Sequence, residues 1–194
     1  DLTVDFRNGR SDTSIEGISH FLGVTANYNE RIIIDDLRGH FEFSNEGLVP
    51  TSLAAQWRGQ AAQFSFDAEP FSVALSGQFD IDKVLEIAGM DETWQAYLEG
   101  QSYWHWHLTP ASSGSFLQAS SDLVGVDVRF PDPLNKLSFQ PADLQVQVPF
   151  GDDTPVHIRY QDEVDALLVL DDVGAVTGVN IGLIGSCESS GDPN

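Results

Sequence analysis

Apolar and polar residues alternate with a period of two through most of this chain, the pattern of strands with one apolar and one wet face. Leu37, Gly39, Phe41 and Phe43 share one side of such a stretch, and Arg38, His40 and Glu42 the other, before Asn45-Glu46-Gly47 turns the chain. Leu53, Ala55 and Trp57 repeat the pattern up to a turn expected at Gly59-Gln60. Ala62, Phe64, Phe66 and Ala68 follow, then Val73, Leu75, Gly77, Phe79 and Ile81. Further on, Trp104, Trp106 and Leu108 alternate with Tyr103, His105 and His107. Leu117, Ala119, Ser121 and Leu123 continue the series. The inward set then moves to Val124, Val126, Val128 and Phe130, a one-residue slip that predicts a bulge near Gly125. Leu144, Val146, Val148 and Phe150 come next, followed by Val156, Ile158 and Tyr160 and by runs over 164–170 and 176–184. Leu2 to Phe6 reads as one more strand.

One segment changes period. Ile81, Val84, Leu85, Ala88, Trp94, Tyr97 and Leu98 recur at helical spacing, with Asp82 placed to cap the first turn. Gly89 is expected to split the segment into two short helices, the second running from near Asp91 to Gly100. The fold class expected is therefore all-β and mainly antiparallel. It is a curled sheet or open sandwich with an apolar inner face and one short helical insert around residues 82–98. Residues 1–186 form a single β-rich domain, a segment of a longer protein, and residues 187–194 a flexible tail.

The apolar face is the candidate functional surface, sealed as a core or left as a groove. Its lining is Leu37, Phe41 and Phe43, then Trp57, Phe64, Phe66, Val73, Leu75 and Phe79, then Trp104 and Trp106. Leu144, Val146, Val148, Val156 and Ile158 complete it.

Charge narrows the possible partners. Against 30 acidic side chains stand 9 basic ones, a net charge of -21. Nucleic-acid binding needs Lys and Arg against phosphates, and docking on anionic lipid surfaces needs the same. With 41% hydrophobic residues the chain can bury a core. Cys187 is the single cysteine, so no internal disulfide forms. The densest apolar run, Ala166 to Leu170, is too short for a membrane-spanning helix, which takes roughly 20 residues. The chain opens on Asp1, as a processed or excised segment would.

The phrase Leu75-Ser76-Gly77-Gln78-Phe79-Asp80 leads into the helical stretch. Leu98-Glu99-Gly100-Gln101-Ser102-Tyr103-Trp104 follows, and then Ser121-Asp122-Leu123-Val124-Gly125 runs on to Pro131-Asp132-Pro133-Leu134-Asn135-Lys136. In this order the phrases resemble the central region of the YhdP branch of AsmA-like envelope proteins of Gram-negative bacteria. The resemblance covers about Ile32 to Ile184 and is most specific from Leu75 to Lys136. Arg129-Phe130 departs from the pattern, which has a leucine before the first proline. The resemblance implies a long curled sheet with an apolar groove in an inner-membrane-anchored, periplasm-spanning parent. It implies a role in moving phospholipid between the two membranes, with no enzyme activity and no cofactor. The implied partners are phospholipid and the rest of the parent protein, without nucleic acid and without membrane insertion by this segment.

Other chemistry is thin. His105-x-His107 has the spacing of a pair of metal ligands but no third ligand, so no metal is expected. Asp35-Asp36, Asp152-Asp153 and Asp171-Asp172 are acidic pairs expected beside turns, where Asp bonds its own backbone. Ser186-Cys187 lacks any sign of a partnering base. An aromatic face formed by the tryptophans would suit the alternative class, a non-catalytic β-sandwich module binding carbohydrate or protein. That alternative expects Phe41, Phe64, Phe79 and Trp106 to be fully buried against a second sheet.

Overall fold

The computed structural model describes residues 2–183, apart from residues 8–9, 29–31, 46, 50, 69–70, 88–94, 110–114, 133, 151–154 and 171–175. A two-stranded hairpin, β1 (Leu2–Arg7) and β2 (Arg10–Ile15), stands apart from one large sheet. That sheet is built from β3 (Gly17–Tyr28), β4 (Ile32–Ser44), β5 (Gly47–Leu48), β6 (Thr51–Trp57), β7 (Gln60–Ala68) and β8 (Phe71–Asp80). It continues through β9 (Leu98–Thr109), β10 (Ser115–Ser121), β11 (Val126–Val128), β12 (Leu144–Phe150), β13 (Val156–Tyr160), β14 (Val164–Leu170) and β15 (Val176–Leu183). Its 13 strands are ordered as a meander from β3 to β15, with β5 beside β4 and β11 beside β9. Every pairing is antiparallel, and the sheet does not close on itself.

Register follows the hydrophobic pattern. One rung runs through Leu53, Phe64, Leu75, Trp106, Ala119, Val146, Ile158, Ala166 and Ile181, each paired with the next. Every member is apolar. The adjacent rung runs through Gln63, Ser76, His105, Ser120, Gln145, Arg159 and Asp165, all polar. A single-residue slip anywhere would exchange these faces, so burial of the first rung fixes the register.

The sheet is strongly curled. Trp57 on β6 and Trp106 on β9 lie three strands apart, which in a flat sheet would separate them by about 14 Å. Their ring centroids are 5.8 Å apart. Trp57 also meets Phe79 edge-on at 4.6 Å. No second large sheet stacks on the apolar face among the described residues, so the expected curled sheet forms and the alternative two-sheet sandwich does not. The curl itself brings side chains together, and a single cluster runs from Ile34 on β4 to Ala166 on β14.

A short helix, α1 (Ile81–Ile87), covers one end of the curl with buried Ile81, Val84 and Leu85. Arg58 in the β6–β7 turn pairs with Glu86 and ties the helix to the sheet. The helical insert ends a little before the pattern over residues 82–98 predicts, with Gln95 its last helical residue. Leu98 already begins β9, and Gly100 lies inside that strand rather than ending a helix. Pairing of Leu98, Glu99 and Gly100 with β11 outweighs the helical spacing there. The expected start of a second helix near Asp91, Trp94, the two later acidic pairs and Cys187 lie outside the described residues.

Several local readings change. The β6–β7 turn is Arg58-Gly59, both at positive φ, and Gln60 instead pairs with Trp57. A two-residue turn of this kind matches the twist of the strands it joins. Asp35-Asp36 lies within β4 at a register shift, not beside a turn. Asp36 has φ 51° and its carboxylate accepts from Arg38 Nε at 2.8 Å. Strand β3, which the alternation left unread, pairs along β4 from Gly17 to Tyr28.

Candidate functional site: the apolar inner face

All sixteen expected lining residues occupy the inner face, in two zones. Leu37, Trp57, Leu75, Phe79, Trp104, Trp106 and Val156 are buried. Phe41, Phe43, Phe64, Phe66, Val73, Leu144, Val146, Val148 and Ile158 are half-buried. On β4 to β9 the fully buried set lies toward α1 and the half-buried set toward the opposite end. Along β8, Phe79 is inaccessible and Leu75 is 6% exposed, whereas Val73 is only half-covered. The curl is thus packed shut beside the helix and loosens away from it. At the loose end Phe41 contacts Phe21 at 5.4 Å and Phe66 at 5.9 Å, forming an aromatic lip. On the far side, Val179 and Ile181 face inward by register, opposite Leu168 and Ala166. They are nevertheless 55% and 61% exposed, because β15 is the last strand of the sheet.

The packed end is closed by a device that the alternation did not foretell. Between Ser120↔His105 and Val126↔Gly100 the pairing along β9 moves by one residue, the bulge expected near Gly125. Gly100 (φ 124°) and Gly125 (φ 99°) carry the close approach of the two backbones there. A Cβ on Gly100 would lie 2.1 Å from the Gly125 carbonyl oxygen, so only glycine fits. Past the bulge Val126 and Val128 are buried as expected, but Val124 is 44% exposed because it sits in the turn before β11 resumes.

The chain then loops back through residues 129–142 and seats Lys136 under the bulge. Lys136 is 4% exposed, and its Nζ donates to the carbonyls of Leu123 (2.8 Å) and Val126. Burial pulls its pKa below the ordinary lysine value, while the Asp127 and Asp122 carboxylates oppose that shift. Gly125 N–H donates to Ser138 O, Ala142 N–H to Asp122 O, and Tyr160 Oη to Leu134 O. Burial raises the pKa of that Tyr160 phenol. Lys136 is thus a structural clamp whose only sequence signal was its place at the end of the third phrase.

Two buried side-chain polar groups inside the curl have no partner among the described residues. The indole Nε1 atoms of Trp104 and Trp106 are buried without an acceptor among the described residues. The nearby hydroxyls are engaged with each other, Ser121 Oγ donating to Ser102 Oγ at 3.0 Å.

The outer face carries the remaining candidates. His105 and His107 are exposed, and His105 meets the Tyr103 ring at 5.0 Å. No group of three or more His, Cys, Asp or Glu gathers to hold a metal ion among the described residues. His157 and Arg159 both reach Asp165, at 2.6 and 3.6 Å, a surface triad beside Gln145 and Gln147. No helix is long and apolar enough to cross a membrane among the described residues.

A single open antiparallel sheet, curled over its apolar face and covered at one end by a short helix, defines the class of open, curled all-β proteins. A family model described as "YhdP protein" matches residues 1–192, and the chain belongs to that family. No curated protein and no solved structure matches it.

Proposed function

We propose that the inner face holds the acyl chains of phospholipid, as a segment of a non-catalytic lipid conduit in the bacterial envelope. The conduit belongs to an inner-membrane-anchored parent and crosses the periplasm between the inner and outer membranes. One observation carries the reading: an apolar rung crosses nine strands of a sheet that no facing sheet covers among the described residues. Moving a methylene from water to an apolar surface is favourable by about 0.8 kcal/mol. A strip of this length therefore suits a chain of methylenes and needs no reactive residue. Family membership supports an envelope role. The polar outer rungs and the net charge of -21 suit an aqueous exterior.

The test is expression in the periplasm, purification without detergent, and mass spectrometry of extracted lipid. Phospholipid is expected near stoichiometric amounts, and Phe64→Asp with Val148→Asp should strip it. The outer-face substitution Gln63→Asp should leave it in place. Folded protein carrying no lipid would overturn the proposal.

A further inference from the structure

We propose that Trp104 and Trp106 offer their indole N–H groups to an acyl carbonyl oxygen of a bound lipid, a hydrogen-bonding waypoint inside the apolar trough. This deepens the trough reading and rests on it. The two rings occupy successive inward positions of β9, with centroids 5.8 Å apart and planes 29° from parallel. They are 1% and 9% exposed, and neither Nε1 finds an acceptor among the described residues. A buried donor left unpaired costs free energy that an aromatic ring without N–H would avoid. Two such donors side by side, unpaired among the described residues, therefore point to an acceptor supplied by a bound ligand.

The surroundings select the acceptor. Leu53, Ala55, Trp57, Leu75, Phe79 and Ala119 share this part of the inner face, and none carries a charge. A phosphate or free carboxylate would lose its hydration there with no cation to compensate. An ester carbonyl is neutral, accepts well from N–H, and arrives attached to an apolar chain. The packed rings must part to admit it, so the contact forms only with lipid in place.

Ester and ether lipids separate this inference from the reading beneath it. Short-chain diacyl phosphatidylglycerol and its dialkyl ether analogue share head group and chain length, but only the first has carbonyls. Both are titrated into the whole chain, following indole N–H resonances and affinity. The diacyl lipid should move the Trp104 and Trp106 indole proton resonances downfield and bind about fivefold tighter than the ether. In the Trp104→Phe, Trp106→Phe variant the ratio of the two affinities should fall to near one. The wild-type comparison stands even if that variant fails to fold. Equal binding of both lipids with unmoved indole resonances would overturn the inference while leaving the trough intact. Binding of neither would overturn the trough reading and this inference with it.

Discussion

Lys136 concentrates most of the chemistry that stabilises the closed end. Its ammonium satisfies two carbonyls that the bulge turns away from the β ladder. Lys136→Met keeps the stem but leaves the Val126 carbonyl without its donor, while Leu123 O still accepts from Val126 N–H, and should cost about 2 kcal/mol at neutral pH by urea unfolding. The pH dependence has a definite sign. A lowered folded pKa means that the unfolded state binds the lysine proton more tightly, so this group's contribution rises with pH. The stability gap between wild type and Lys136→Met should therefore widen as pH climbs toward 10.5, the unfolded lysine value. Tyr160 acts oppositely: its raised pKa contributes stability that is lost as pH rises above the ordinary phenol value. That loss is common to both proteins and cancels in the difference. A gap that narrows would contradict the lowered folded pKa of Lys136. The glycines beside it are equally constrained. Gly100→Ala or Gly125→Ala meets both a left-handed backbone and a carbonyl 2.1 Å away, and should cost at least about 2 kcal/mol. Calorimetry should read a melting temperature lower by about 4–8 °C.

At the scale of elements, alternation made most of the sheet legible. Strands β6 to β10 and β12 to β14 pair with the inward sets read from the sequence, because period two has only two phases and burial selects one. The bulge near Gly125 was legible for the same reason, as a change of phase. Strand β3 was not, since Gly17, Ser19 and Gly23 interrupt its apolar side and its register shifts near Leu22 and Val24. The helical spacing up to Leu98 misled because Leu98 and Gly100 must also serve as partners of Val128 and Val126. Lys136 had no periodic signal at all, and alternation placed Trp104 and Trp106 inward without showing that their N–H groups would lack an acceptor among the described residues. They depend on where a returning loop and a curled face meet, which local pattern does not encode. Helix α1 matters as a stopper. Val84→Asp places a charge among Ile81, Leu85 and the β9 face, and should destabilise by about 3 kcal/mol. It should also raise binding of an apolar dye, by unsealing the packed end. Unchanged dye binding in a folded variant would show that the helix does not close the curl.

Across the whole molecule, the sheet is one layer whose curvature replaces the second layer of an ordinary β core. That arrangement grades accessibility along a single face, from inaccessible Phe79 to half-covered Val73 and Phe66. If this face holds an elongated apolar ligand, as proposed, occupancy follows the period of the strands. Site-specific photo-crosslinking in living cells reads that period directly. A crosslinking residue placed in turn along residues 63–66 of β7 and 145–148 of β12 should trap lipid at Phe64, Phe66, Val146 and Val148. It should give none at Gln63, Ser65, Gln145 or Gln147. Adducts at both phases alike, or at neither, would contradict a lipid-holding inner face.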